Sequence, residues 1–183
     1  MRHDIIMSGF GGQGVMVMGQ LLTYAGMLEN KKVSWMPSYG PEMRGGTANC
    51  SVIISDASVG APIVTEPTAT VIMNLPSLDK FEPAMKANGT MIINSSLVNK
   101  QVQRKDIKAY SVPINEIASE LGNSKMINMV ALGALLAATC VVQKESLVNA
   151  FAKKFSSKPE MVPANQEALN RGYDFVMHLK ADQ

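Results

Sequence analysis

The chain has 183 residues, 46% of them hydrophobic, with 17 Lys and Arg against 15 Asp and Glu for a net charge of +2. That length suits a single domain over residues 1–183, able to remove roughly 70% of its unfolded surface from water, and a near-neutral chain without a long basic run excludes the electrostatic footprint of a nucleic-acid or membrane-surface binder. Cys50 and Cys140 are far apart, and His3 and His178 sit near opposite ends, which excludes a zinc or iron–sulfur site made from this chain alone.

The start of the chain shows no charged-then-apolar leader, an expectation of a cytoplasmic protein, and "HDIIMS" (3–8) already reads as a buried strand. "SGFGGQGVMVMG" (8–19) follows. Gly9, Gly11 and Gly14 stand at G-x-G-x-x-G spacing, with Gly12 an additional glycine, and residues without Cβ let backbone N–H groups approach a phosphate at the positive end of a helix. A helix over 14–29 carries Met18, Leu21, Leu22, Ala25 and Leu28 at helical spacing, and a second strand spans 31–38. This is a βαβ beginning.

The loop "SYGPEMRGG" (38–46) sets Tyr39, Glu42 and Arg44 among glycines and a proline. Two readings of it stand: a Glu42–Arg44 pair closing a turn, or Arg44 offered to an anion or a partner chain near the glycine loop. "TANCSVIIS" (47–55) is a strand, 57–64 reads as a turn with a short returning strand, and 68–75 is a further strand, so that part of the sheet is antiparallel. Pro76 opens a helix over 77–87 that Asn88-Gly89 stops; strands follow at 90–95 and 107–114. Helices are expected at 115–123, 126–142, 144–155 and 161–179. The 17-residue run 126–142 has no charge but holds Asn128, Gly133 and Thr139, and reads as a core helix rather than a membrane span. Both cysteines are expected to be buried, and the 14 methionines to fill the core. The fold class is α/β: a three-layer α/β/α domain with a Rossmann-like start, a mixed but mostly parallel sheet and a helical C-terminal third.

A nicotinamide or flavin site needs an acid about 20 residues beyond the glycines, at the end of the second strand, to take the ribose hydroxyl. Here the nearest acids are Glu29, still on the helix, and Glu42, already in the next loop. No set of side chains stands out for acid–base or hydride chemistry, so neither catalytic nor metal-binding residues are assigned.

"SGFGGQGVMVMGQLLTYAGM" followed by "PSYGPEMRGGTANCSVIIS", with "NMVALGALLA" further on, resembles the gamma subunit of 2-oxoacid:ferredoxin oxidoreductases over essentially the whole chain, most closely those of the 2-oxoglutarate type, with pyruvate and branched-chain types behind it. The resemblance implies a subunit of a thiamine-diphosphate enzyme that decarboxylates a 2-oxoacid oxidatively, reduces ferredoxin and forms an acyl-coenzyme A. It implies alpha, beta and delta (ferredoxin-like) partner subunits that carry the thiamine diphosphate, Mg²⁺ and iron–sulfur clusters. It also implies a place near the coenzyme A approach, with Gly9, Gly11, Gly12, Gln13 and Gly14 as the receptor and Arg44 as a further contact. Docking of the same loop on the thiamine-binding subunits, a free-standing nucleotide-dependent enzyme, and a ligand-free assembly domain are the other readings.

Overall fold

The computed structural model describes residues 1–38 and 47–182. In chain order the elements are β1 (Arg2–Phe10), α1 (Val15–Leu28), β2 (Lys32–Ser38), β3 (Thr47–Ser55), β4 (Ala69–Ile72), α2 (Leu75–Phe81), β5 (Thr90–Asn94), β6 (Lys108–Val112), α3 (Ile114–Glu120), α4 (Ile127–Thr139), α5 (Lys144–Lys154) and α6 (Val162–Ala181). The six strands lie in the order β2-β3-β1-β4-β5-β6. β1, β4, β5 and β6 pair in parallel, whereas β3 is antiparallel to both β1 and β2. β2 therefore runs in the direction of β1 but two places away. The βαβ opening is a crossover spanning a slot that β3 fills later.

Alternation along the strands sorts the core onto two faces. Ile5, Met7, Val52, Ile54, Val71 and Ile92 point toward α1 and the C-terminal helices, while Ile6, Ile72, Met91 and Ile93 pack around Leu78 and Phe81 of α2. The expected three layers are present, one of them thin. Met7, Met18, Met73, Met91 and Met129 are fully buried and fill the core as expected, whereas Met1, Met27 and Met177 are exposed.

Three expectations need correction. α2 stops at Phe81 instead of running through the following residues, because Pro83 has no N–H to continue the helical ladder and its ring crowds the preceding turn. Its start is set by Asn74, whose Oδ1 accepts from Ser77 N at 3.0 Å. No strand forms over 57–64. This segment leaves β3 at Ser55, opposite Arg2, and enters β4 at Ala69, opposite Ile5, so it has only to cross the end of β1; Pro62 within it supplies no donor for a ladder. Cys50 is buried as expected, and burial pushes its thiol up to about 12, but Cys140 is exposed. Cys140 ends α4 in the left-handed region, at φ 52°, which turns it off the buried face of the helix.

The apolar run is a core helix. Met129 through Ala137 of α4 are all buried, α6 lies against the helix at a crossing where Gly133 faces Leu169 and Gly172 faces Val130, and among the described residues no helix is long and apolar enough to cross a membrane. A polar clasp ties α1 to the junction before α5. Glu29 Oε1 accepts from Gln143 N at 2.6 Å, and Lys31 donates to Val141 O at 2.7 Å while lying 3.1 Å from Glu29 Oε2. Burial pushes the Glu29 carboxyl up, but the Gln143 N–H, the Ser146 hydroxyl and Lys31 together outweigh it and hold the carboxyl below its ordinary value of 4.5. A depressed folded-state pKa adds stability above the unfolded value and loses it as pH falls through the folded one. Glu29→Gln is therefore expected to flatten the acid limb of the stability profile and to lower stability at neutral pH, measured by urea unfolding of both proteins from about pH 3 to 7.

Candidate functional site

β1, β2 and β4 end at one edge of the sheet, where β3 begins: Phe10 lies opposite Thr47 and Ser38 opposite Asn49. Ligands bind at such a carboxyl edge in α/β sheets. The glycine loop bridges β1 and α1 there. Arg44, with Tyr39 and Glu42, lies outside the described residues; Ser38 and Thr47, which bracket that segment, both stand at this edge.

The glycines do different work. At Gly9 a Cβ would fall 2.4 Å from Gln13 Oε1 and 2.7 Å from Met73 Cβ, so this glycine lets the strand pack tightly against its neighbours. Gly12, at φ +91°, has none of the described residues within 4 Å of its Cβ position; it needs glycine for its backbone angle. Gly14 caps α1 in the left-handed region at φ 75° without a side-chain cap, and its Cβ position is 3.0 Å from Cβ of Asn128, at the start of α4. The first helical bond is Met18 N to Gly14 O at 2.9 Å, which leaves the N–H groups of Val15, Met16 and Val17 in the first turn without an earlier helical carbonyl to bond. That turn carries no acidic residue. A cavity of about 240 Å³ faces it, walled by Phe10, Met16, Val17 and Ala48 with Gly11 and Gly12 at its edge. Backbone donors, the positive end of a helix dipole and apolar walls suit an anion attached to a larger organic body.

Gln13 is engaged inside the loop. Its Oε1 accepts from Phe10 N at 2.6 Å, its Nε2 donates to Met73 O at 3.3 Å, and its own backbone N–H bonds Phe10 O at 3.2 Å. The side chain straps the glycine loop to the ends of β1 and β4. Gln13→Ala, which removes both side-chain bonds, is expected to cost about 1–2 kcal/mol of stability in a denaturant titration. An unchanged midpoint would show that water replaces the strap without loss. Sequence reading gave no sign of this strap or of Asn128 beside Gly14, because both contacts join segments distant in the chain. Glu29, an acid tested above for a ribose contact, is bonded to Gln143 at the far end of α1, about 20 Å from the loop by helical rise. Among the described residues no group of three His, Cys, Asp or Glu converges as a metal site would require.

Known proteins are similar to this chain in sequence and in fold. The chain is 36% identical over 170 residues to the ketoisovalerate oxidoreductase subunit VorA of Methanothermobacter marburgensis, covering 92% of this chain and 35% of that protein; it thus spans about a third of the length of this curated relative. It is 35% identical over 182 residues to the 2-oxoglutarate synthase subunit KorC of Methanocaldococcus jannaschii, covering 98% of this chain and 96% of that one. Its fold matches the gamma subunit of a keto/oxoacid ferredoxin oxidoreductase from Geobacter sulfurreducens with a TM-score of 0.82 and 29% identity over 96% of this chain and 99% of that one. It also matches a 2-oxoglutarate:ferredoxin oxidoreductase from Magnetococcus marinus, solved with 2-oxoglutarate, coenzyme A and succinyl-CoA bound, with a TM-score of 0.86 and 21% identity over 97% of this chain and 31% of that one. The family model for pyruvate ferredoxin/flavodoxin oxidoreductase matches residues 4–175, from β1 into α6 and across the glycine loop, and the chain accordingly belongs to the pyruvate ferredoxin/flavodoxin oxidoreductase family.

Proposed function

We propose that this chain is the gamma subunit of a 2-oxoacid:ferredoxin oxidoreductase, and that its glycine loop receives a phosphate of coenzyme A. In the reaction of such a complex a 2-oxoacid anion and coenzyme A become an acyl-coenzyme A and carbon dioxide, the thiol proton is released, and two electrons pass to ferredoxin. Thiamine diphosphate with Mg²⁺ and iron–sulfur clusters, held by the alpha, beta and delta subunits, supply the decarboxylation and the electron path. This chain's contribution is to bind and orient. The observation that carries the reading is the cradle at the start of α1: first-turn N–H groups, an open Gly12 and apolar walls, with no competing carboxylate in the turn. The N–H groups of Gly11, Gly12 and Gly14 extend the donor set, and Arg44 supplies a guanidinium fork for the same anion. Phe10, Met16 and Val17 cover the apolar part of the coenzyme and keep water from it.

For the substrate we favour 2-oxoglutarate, supported by the whole-length match to KorC; the match to VorA supports a branched-chain 2-oxoacid as the second reading. The test is purification from the native cell. We expect companion subunits carrying thiamine diphosphate and clusters, and coenzyme A-dependent ferredoxin reduction by the complex. The isolated chain is expected to decarboxylate no 2-oxoacid. Purification of a lone chain that turns over a 2-oxoacid, or that carries no companions, overturns the reading.

A further inference from the structure

The 14 residues of α1, VMVMGQLLTYAGML, include no charged side chain. A helix apolar all round belongs in an interior, yet one side of α1 faces out. Met16, Gln20 and Tyr24 on that side are half-buried, and Met27 and Leu28 are 54% and 43% exposed. The strip leads into a cavity of about 470 Å³ between α1 and α5, floored by Leu21, Tyr24 and Ala150 and rimmed by Lys153 and Lys154. Lys153 Nζ stands 5.3 Å from the centroid of the Tyr24 ring, and Lys154 Nζ donates to Gln20 Oε1 at 2.7 Å. Among the described residues, ion pairs engage Arg2, Lys31, Lys100, Arg104 and Arg171, and neither Lys153 nor Lys154 has a carboxylate partner. A place in the last turn of α5 favours two lysines through the helix dipole, but it does not account for an uncharged outward face on the neighbouring helix.

We propose that the outward face of α1 and the Lys153–Lys154 groove seat a companion subunit of the complex, which lays apolar side chains along Tyr24 and Met27 and directs an Asp or Glu carboxylate to the two lysines. This rests on the subunit role proposed above. Charge decides the occupant. A second copy of this chain, packed across a two-fold axis on the groove, would bring Lys153 and Lys154 of one copy against those of the other. A partner of opposite charge meets no such repulsion and gives a carboxylate to two ammonium groups that have none among the described residues. The strip is continuous with the candidate site, since Met16 also walls the cavity at the glycine loop. The subunit covering α1 thereby borders the coenzyme approach.

The test is zero-length carbodiimide cross-linking of the purified complex, read by peptide mass spectrometry, together with the Lys153→Glu/Lys154→Glu double variant in reconstitution. We expect Lys153 or Lys154 joined to an Asp or Glu of a companion subunit. The variant is expected to lose at least about 10-fold in subunit affinity at low salt, with the thermal midpoint of the isolated chain lowered by no more than a few degrees, the cost of two carboxylates at the negative end of α5. Companions that co-purify while the double variant assembles with wild-type affinity overturn this proposal and leave the subunit role standing. Cross-links from these lysines to a second copy of this chain overturn it as well. Absence of any companion removes the subunit role and this proposal together.

Discussion

Gly133→Ala is expected to lower the thermal midpoint of the isolated chain by about 6 °C. At the α4–α6 crossing a Cβ on Gly133 would lie 1.9 Å from Leu169 O, and one on Gly172 2.0 Å from Val130 O. Both obstacles are backbone carbonyls, which no rotamer change can move aside. The helices must separate, and each α4 side chain packed beneath α6 loses contact with them. Overpacking of this kind costs about 3 kcal/mol or more, and the roughly 1 kcal/mol that alanine gains over glycine in helix propensity offsets only part of it. The net loss of about 2 kcal/mol corresponds to about 4–8 °C in a chain of this size. Gly172→Ala should match it. The double variant should cost less than the sum, since the first methyl already parts the helices. Gly60→Ala is the control: nothing lies within 4 Å of its Cβ position, so its midpoint should stay within a degree or two of wild type. The comparison is made by circular dichroism melting, and a Gly133→Ala midpoint equal to that of Gly60→Ala would remove the close crossing from the account of the fold.

The second large effect is expected at Gly12, in the assembled enzyme. With φ +91° and no atom of the described residues within 4 Å of its Cβ position, valine there strains the backbone by about 1–2 kcal/mol and places a branched side chain where the proposed anion would sit. Loss of one or two charge-assisted hydrogen bonds, about 2 kcal/mol, raises the apparent KM for coenzyme A about 30-fold. The first half-reaction, reduction of the clusters by the 2-oxoacid without coenzyme A, should keep its rate. Gly12 is the discriminating position because a Cβ at Gly9 strikes Gln13 and Met73, and one at Gly14 crowds Asn128, so substitutions there disturb the fold as well as the site. Stopped-flow cluster reduction with and without coenzyme A separates the outcomes. Equal loss of both phases, or failed assembly, assigns the loop to docking on a partner; no change in either leaves it a tight turn.

Legibility in the sequence follows the range of the forces involved. The strand at 47–55 and the helices α1, α5 and α6 were readable to within a residue or two, because alternation and helical spacing are local properties of the chain. So was the glycine loop as a strand-to-helix turn, since Gly12 and Gly14 advertise the positive φ angles they adopt. The buried character of α4 was also legible, from an uncharged run that is short for a membrane and interrupted by polar residues. The insertion of β3 between β1 and β2 was not, because strand order depends on pairing between segments that carry no record of their neighbours. The strap from Gln13 to Met73, the contact of Gly14 with Asn128 and the meeting of Gly133 with Leu169 were hidden for the same reason. Cys140 was misread as buried because an apolar context predicts burial, while the left-handed turn that ends α4 decides which way the side chain faces. What the sequence determined by itself was most of the elements and the turn from strand to helix at the glycine loop. Which groups meet, and hence which glycine faces open space among the described residues and which one the packing requires, was decided by the tertiary structure alone, since a close contact depends on the positions of both partners and the sequence records only their identities.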